Sequence, residues 1–198
     1  FLGGMALISA ALVTMTAFTR IVIVLSFVRR ALSTQEIPPT QVILGLSLFL
    51  TLFVMGPTLT SIEGDATRPY LDGTIDGQTA WLRGSAALHT FMIRQTRKTD
   101  IALFAGMANV KQIQTAAETP MQVLIPAYVI SELKTAFIMG FCLYIPFILI
   151  DLVVSVILMS LGMMMMPPMV ISTPFKILLF VLVDGWQLIA RVLSMSFH

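Results

Sequence analysis

The sequence predicts an all-α, multi-pass membrane protein built of kinked helical hairpins. Three observations carry this. The 198 residues are 57% hydrophobic and only 11% charged, with a mean hydropathy of +0.92, whereas a soluble domain is nearer half apolar and a quarter charged. The apolar residues gather into four stretches, each long enough for the about 20 residues a bilayer crossing needs. Prolines fall at the ends and inside these stretches, where they bend or break helices.

The first stretch runs from about Leu2 to Val28, holds one charge, Arg20, and ends at Arg29-Arg30. A turn from Ser33 to Pro39 follows. The second stretch, about Gln41 to Ile62, has no charge. Together residues 1–62 form a first hydrophobic hairpin. Residues 63–119 are a polar insert. Within it Glu63 to Gln78 is rich in turn residues and reads as an exposed loop. Ala80 to Lys98 reads as a helix, and Thr99-Asp100 as the cap of a second helix from Ile101 to about Val110. Residues 120–198 form a second hydrophobic hairpin. Thr119-Pro120 starts it as cap and first turn. It runs to about Met163, with Pro126 and Pro146 expected to bend or break it, and a last stretch covers about Thr173 to Phe197. Arg29-Arg30 in a short loop places the Ser33–Pro39 turn in the cytoplasm and the insert on the outer, periplasmic side. Phe1 already lies in a hydrophobic segment, without the charged leader and small-residue cleavage site of a signal peptide.

Between the last two stretches stand Met163, Met164, Met165 and Met166, closed by Pro167-Pro168. Methionine is unbranched and polarizable and fits irregular gaps and varied surfaces. The run is either a Met-rich core turn or a deformable seal.

Charges inside apolar stretches cost a few kcal/mol at a bilayer centre and face protein or water rather than lipid. They are Arg20, Glu132, Lys134, Asp151, Lys176, Asp184 and Arg191. At 100° per residue, Lys176, Asp184, Gln187, Arg191 and Ser194 fall within an arc of about 80°, one polar face on an apolar helix. Ser9, Thr16 and Arg20 also align. Arg20, Asp151, Asp184 and Arg191 are therefore expected on buried polar helix faces. Two readings stand: satisfied pairing between neighbouring helices, and contact between subunits around a polar passage. Phe91 and Phe104, one on each helix of the insert, either make a small local core or meet another subunit.

Catalytic motifs are absent. His89 and His198 have no metal-ligand spacing around them. There is no Gly-rich phosphate loop and no nucleophile elbow. Asp151 and Asp184 could suggest a paired-carboxylate protease, but each has a basic residue within reach in sequence or on the same face. A net charge of +2 gives no footprint for nucleic acid. The lone Cys142 reads as a small core hydrophobe. No enzyme activity and no cofactor are expected.

The chain resembles the FliP/SctR family of type III secretion export gates over nearly its whole length. The resemblance rests on Phe18-Thr19-Arg20-Ile21, on Pro38-Pro39 followed by Gln41-Val42, and on Phe91 through Arg97. Pro126-Ala127-Tyr128 and Ser131 through Phe137 extend it. Ile145-Pro146-Phe147, Ile150-Asp151-Leu152, Leu161 through Met165 and Leu182 through Trp186 complete it. Arg94-Gln95-Thr96-Arg97 and the Met…Pro-Pro turn look more like the flagellar branch than the virulence branch.

The resemblance implies several copies assembling with FliQ-like and FliR-like proteins into a helical cone in the bacterial inner membrane, within a flagellar basal body or an injectisome base. Unfolded polypeptide passes through its centre, and FlhB-like and FlhA-like components work with it. It implies a methionine gasket at Met163 to Met166, an intersubunit ion pair between Glu132 and Lys176, and a longer amino-terminal region with a cleaved signal sequence. Much of the cone's mass would sit above the plane that hydropathy suggests. A small-solute or ion transporter subunit is the alternative. Such proteins often carry inverted repeats, and residues 1–62 and 121–198 show no convincing repeat.

Overall fold

A computed structural model describes residues 10, 13–34, 37–110, 118–163 and 166–197. The chain packs as two units. The first is the chain up to Arg20 with Thr51–Thr135; the second is Ile21–Leu50 with Ala136–His198. These units do not follow the three sequence segments. Three helices begin in one unit and end in the other, so each unit draws on both hydrophobic hairpins.

Helix α1, Phe18–Ala31, buries Ile21, Val24, Leu25, Val28 and Ala31, the i, i+3, i+4, i+7 stripe of an amphipathic helix. Arg29 and Arg30 occupy its last turn, where cations complement the exposed carbonyls. Helix α2, Thr40–Ile62, is apolar all round. Ile43, Ser47, Thr51, Val54 and Met55 face inward, while Phe49 and Phe53 are exposed. The Ser47 hydroxyl donates back to the Ile43 carbonyl at 2.7 Å, so a buried polar group is satisfied within the helix.

The stretch read as a loop from Glu63 is helical instead. A π-helical turn, Glu63–Thr67, leads into α3, Arg68–Leu71, giving 32 residues of continuous helix from Thr40 to Leu71. Its turn-rich composition is overridden by packing: Ala66 is buried under the next helix, whose Gly84 would bring a Cβ within 3.9 Å of Ala66 and of Ile62. Only the short connection to Asp76 is loop, with Gly73 at φ 72°.

Helix α4, Gly77–Gln95, is capped by Asp76, whose carboxylate accepts the Thr79 amide at 3.2 Å. The Thr79 side chain and then its amide hold the Asp76 carboxyl below the ordinary carboxylate range. Since the folded value is depressed, the cap's contribution is present above the unfolded value and is lost as pH falls through the folded one. Hydrogen exchange at the Thr79 amide should therefore stay slow through the ordinary aspartate range and quicken only at more acidic pH. In Asp76→Asn that dependence should vanish; its persistence would remove the cap as its cause.

Helix α5, Lys98–Met107, has Arg97 at its cap position, and no side chain caps it. Thr99 and Asp100 lie inside its first turn rather than ahead of it. The α4–α5 turn is held by a distant serine instead: the Arg97 amide donates to Ser131 Oγ at 3.0 Å, and Ser131 Oγ donates to the Gln95 carbonyl at 3.4 Å. A tertiary partner replaces the local cap.

Helix α6, Met121–Ser160, is a single run of 40 residues. Pro126 and Pro146 do not break it, and it begins one residue later than Thr119-Pro120 suggested. In apolar surroundings a freed backbone group has no water to bond, so continuing the helix is the cheaper outcome. Up to Thr135 it buries Val123, Leu124, Ala127, Tyr128, Ser131 and Glu132 within the first unit. Beyond Ala136 most of its side chains are exposed, Phe141, Leu149 and Leu152 among them.

In the second unit α6 meets α1 closely at Gly140. A Cβ there would stand 2.5 Å from Phe27 Cδ2 and 2.6 Å from Cγ. The Phe27 ring also packs edge-on against Phe137 at 5.4 Å. These atoms lie near the root of the ring, so Gly140→Ala should cost about 1–3 kcal/mol by overpacking. A thermal unfolding midpoint unchanged from the parent would show that the gap can open without cost.

The last apolar stretch is broken. Helix α7, Pro168–Leu182, and α8, Gly185–Met195, meet at a bend of 63°. Asp184 takes the left-handed conformation, φ 50°. Gly185 lies so close on the Phe180 ring that a Cβ would fall 2.3 Å from Cε2. Phe180 is also packed by Phe147 and, edge-on, by Trp186. The bend separates Lys176 on α7 from Asp184 and Arg191, so the single polar face expected of one long helix does not exist.

Candidate functional site

Two ion pairs hold the polar core, one in each unit, the first fully buried and the second open on its aspartate side. In the first, Arg20 on α1 grips Glu132 on α6. Arg20 Nε donates to Glu132 Oε2 at 2.7 Å, and Nη2 donates to Oε1. Nη2 also donates to Gln95 Oε1 at 3.2 Å. The two side chains are 3% and 0% exposed. A planar guanidinium matches a carboxylate with two parallel bonds, which makes such a pair strong and geometrically specific. One turn before Glu132, the Tyr128 hydroxyl donates to the Thr16 carbonyl at 2.8 Å, and its ring meets Phe91 edge-on at 6.2 Å.

In the second unit, Lys176 on α7 donates to Asp151 Oδ2 on α6 at 2.5 Å and to Ser33 Oγ at 2.6 Å. Ser172, four residues before Lys176, donates to Asp151 Oδ1 at 2.5 Å. Both carboxylate oxygens are thus engaged. Ser33 sits just past α1 in the left-handed conformation, φ 58°. The cluster ties the end of α1 to α6 and α7.

Within one chain, then, Glu132 and Lys176 each have a partner of their own, Arg20 and Asp151. Arg20 is buried and Asp151 half-buried; Asp184, Arg191 and Lys134 are exposed. Phe91 is buried against Tyr128 and Phe104 is half-buried. Sequence reasoning singled out the charges but missed Gln95, Ser33 and Ser172. Ser172 had a signal: it is one helical turn from Lys176 and so on the same face. Gln95 and Ser33 had none, since both sit at helix ends brought in by tertiary folding. Among the described residues no group of three metal-ligating side chains comes together.

The methionine turn is shaped from both sides. Gly162 is left-handed, φ 76°. Its amide bonds the Met159 carbonyl at 3.1 Å, and the Met163 amide bonds the Leu158 carbonyl at 3.0 Å. This paired pattern is a Schellman stop, which satisfies the last carbonyls of α6. On the far side Pro167 precedes α7 and Pro168 opens it, the position where a missing amide costs nothing. Met163 and Met166 are exposed, at 41% and 42%. Met164 and Met165 lie outside the described residues. Nearby, α6 and α7 form a wholly apolar groove of about 550 Å³ lined by Leu149, Val153, Ile157, Ile171 and Phe175 among others.

Two helices, Thr40–Leu71 and Met121–Ser160, are long and apolar enough to cross a membrane, and the bent pair α7–α8 passes the same test as one broken span. These features define an all-α membrane protein with one ion pair fully buried and a second half-buried. The chain belongs to the FliP family, whose model matches residues 1–193. It is 53% identical to a flagellar biosynthetic protein FliP of Pectobacterium carotovorum, covering 100% of this chain and 76% of that protein. The Bacillus subtilis protein of the same name is 52% identical over 94% of this chain and 84% of its own length. One from Buchnera aphidicola is 50% identical over 100% of this chain, which spans only 55% of it.

Proposed function

We propose that the chain is a core subunit of a type III protein export gate, whose copies form the channel that carries unfolded flagellar, or virulence, proteins across the bacterial inner membrane. Other copies of itself, FliQ-like and FliR-like subunits, and FlhB-like and FlhA-like components are its partners, with membrane lipid around them. The observation that carries this reading is the methionine turn. A glycine stop and a proline start bracket the run, and methionine side chains are the most adaptable available. Met163 to Met166 from each copy meet as a soft ring, tight to ions at rest and able to repack around varied peptides.

Replacing Met163, Met164 and Met165 together by Ala should leave assembly largely intact yet make cells that carry the complex leak ions. A variant that assembles and stays as tight as the parent would reduce the methionines to packing.

In the assembled gate Glu132 and Lys176 are proposed to meet across subunits, and Phe104, with Phe91 behind it, to line a contact between copies. Both side chains are buried and paired within one chain, so this meeting requires assembly to open those pairs. Glu132→Lys should lower oligomer yield, and Lys176→Glu in the same chain should partly restore it. No restoration would leave both charges with their partners inside one chain.

A further inference from the structure

Exposed methionines gather around one turn. Among the described residues, Met159, Met163, Met166 and Met169 all stand open where α6 gives way to α7, whereas Met55 and Met92 are buried. An exposed thioether is open to two-electron oxidation to the sulfoxide. What sets this turn apart is how little it offers the oxygen that oxidation adds. The Gly162 and Met163 amides are spent on the Met159 and Leu158 carbonyls, and the Met166 amide donates to the Met163 carbonyl at 3.4 Å. Pro167 and Pro168 have no amide hydrogen. Ser160 Oγ donates to the Ile157 carbonyl, Ser172 Oγ to Asp151 and Thr173 Oγ1 to the Met169 carbonyl. The groove alongside is walled by Ile157, Leu158, Ile171 and Phe175, which carry no donor on their side chains.

We propose that Met163 and Met166 are sites of reversible sulfoxidation, and that the modification wets the turn and opens it to ions. The proposal rests on the reading of this turn as a seal. A peroxide supplies the oxygen. A sulfur lone pair attacks one peroxide oxygen, the O–O bond breaks, the sulfur gives up two electrons and the other oxygen leaves as water. Enzymatic reduction with a dithiol returns the two electrons, releases the added oxygen as water and leaves a disulfide. Hydrogen peroxide is small and uncharged, so it reaches the rims of a closed ring that an ion does not cross. An apolar constriction holds ions back because water finds no partners in it. A sulfoxide makes the side chain polar. With the donors around the turn mostly engaged, its oxygen turns to water, and the same change is repeated in every copy around the ring.

The test begins with the purified full chain, treated with hydrogen peroxide and mapped by mass. Met163 and Met166 should gain oxygen about tenfold faster than Met55 and Met92. Rates no faster than those of the buried pair would overturn the site. The gate in cell membranes is then treated in the same way while ion leak is followed. Leak should rise several-fold, and it should fall back when both methionine sulfoxide reductases, one for each sulfoxide epimer, are added with a dithiol. In a chain with Met163 to Met166 all replaced by Leu, peroxide should add nothing to whatever leak the untreated variant shows. A leak that the reductases do not reverse, or that rises equally in the leucine chain, would place the damage elsewhere and overturn the proposal. The alanine variant of Met163, Met164 and Met165 separates the two readings. If that variant leaks while the parent, with its sulfoxides verified by mass, stays tight, the seal stands and the switch is wrong. If neither leaks, both fall.

Discussion

Glu132→Gln is expected to destabilise the isolated chain by about 3–5 kcal/mol, because it strips the carboxylate from a guanidinium that has almost no access to water. Gln95 would remain on Arg20 Nη2, but one neutral amide oxygen does not replace a bidentate carboxylate. The loss should appear in the unfolding midpoint of the purified chain, before any question of assembly. Replacing both partners by Met should recover most of it, since a well-packed apolar pair carries no desolvation penalty. A Glu132→Gln midpoint within about 1 kcal/mol of the parent would mean that water or lipid headgroups reach Arg20.

The second ion pair should respond asymmetrically. Lys176 is 1% exposed while the Asp151 side chain is 31% exposed. Asp151→Ala leaves a buried ammonium with Ser33 as its acceptor among the described residues. Lys176→Met leaves a carboxylate that still accepts from Ser172 and can be hydrated from its open side. Asp151→Ala should therefore be the costlier change, by about 1–3 kcal/mol, read as the gap between the two unfolding midpoints. Equal losses would show that the cluster acts as one unit. A larger loss for Lys176→Met would place the weight on its aliphatic stem.

Much of the fold was written in local pattern. The apolar stretches and the turn closed by Pro167-Pro168 are set by hydropathy and by residues with few backbone options, so they could be read directly. What misled was the assumption that breaks follow breakers. Pro126 and Pro146 sit inside an unbroken α6, because a proline deletes one hydrogen bond and an apolar setting offers the backbone nothing better than more helix. The real break, at Asp184-Gly185, has no proline. It arises from the contact of Gly185 with Phe180, which is visible only once α7 and α8 are packed. Glu63 to Leu71 looked like a loop by composition and became helix because α4 lies on it. The site divides the same way. The charges announced themselves by standing in apolar sequence, but their partners did not, since Arg20 and Glu132 are 112 residues apart.

The length of α6 imposes a condition on the chain's surroundings. Forty residues rise about 60 Å, twice the hydrocarbon thickness of a bilayer. Up to Thr135 the first unit covers part of it, Val123, Leu124, Ala127 and Tyr128 included. Beyond Ala136 its side chains are mostly exposed, and whatever part of that stretch lipid does not wet is an apolar remainder left in water or among headgroups. That remainder is a standing penalty on every unassembled copy, and only neighbouring protein of the right height can lift it. The helix would then act as a ruler for its own assembly, marking orphan subunits for aggregation or proteolysis and tying the chain's lifetime to the supply of its partners.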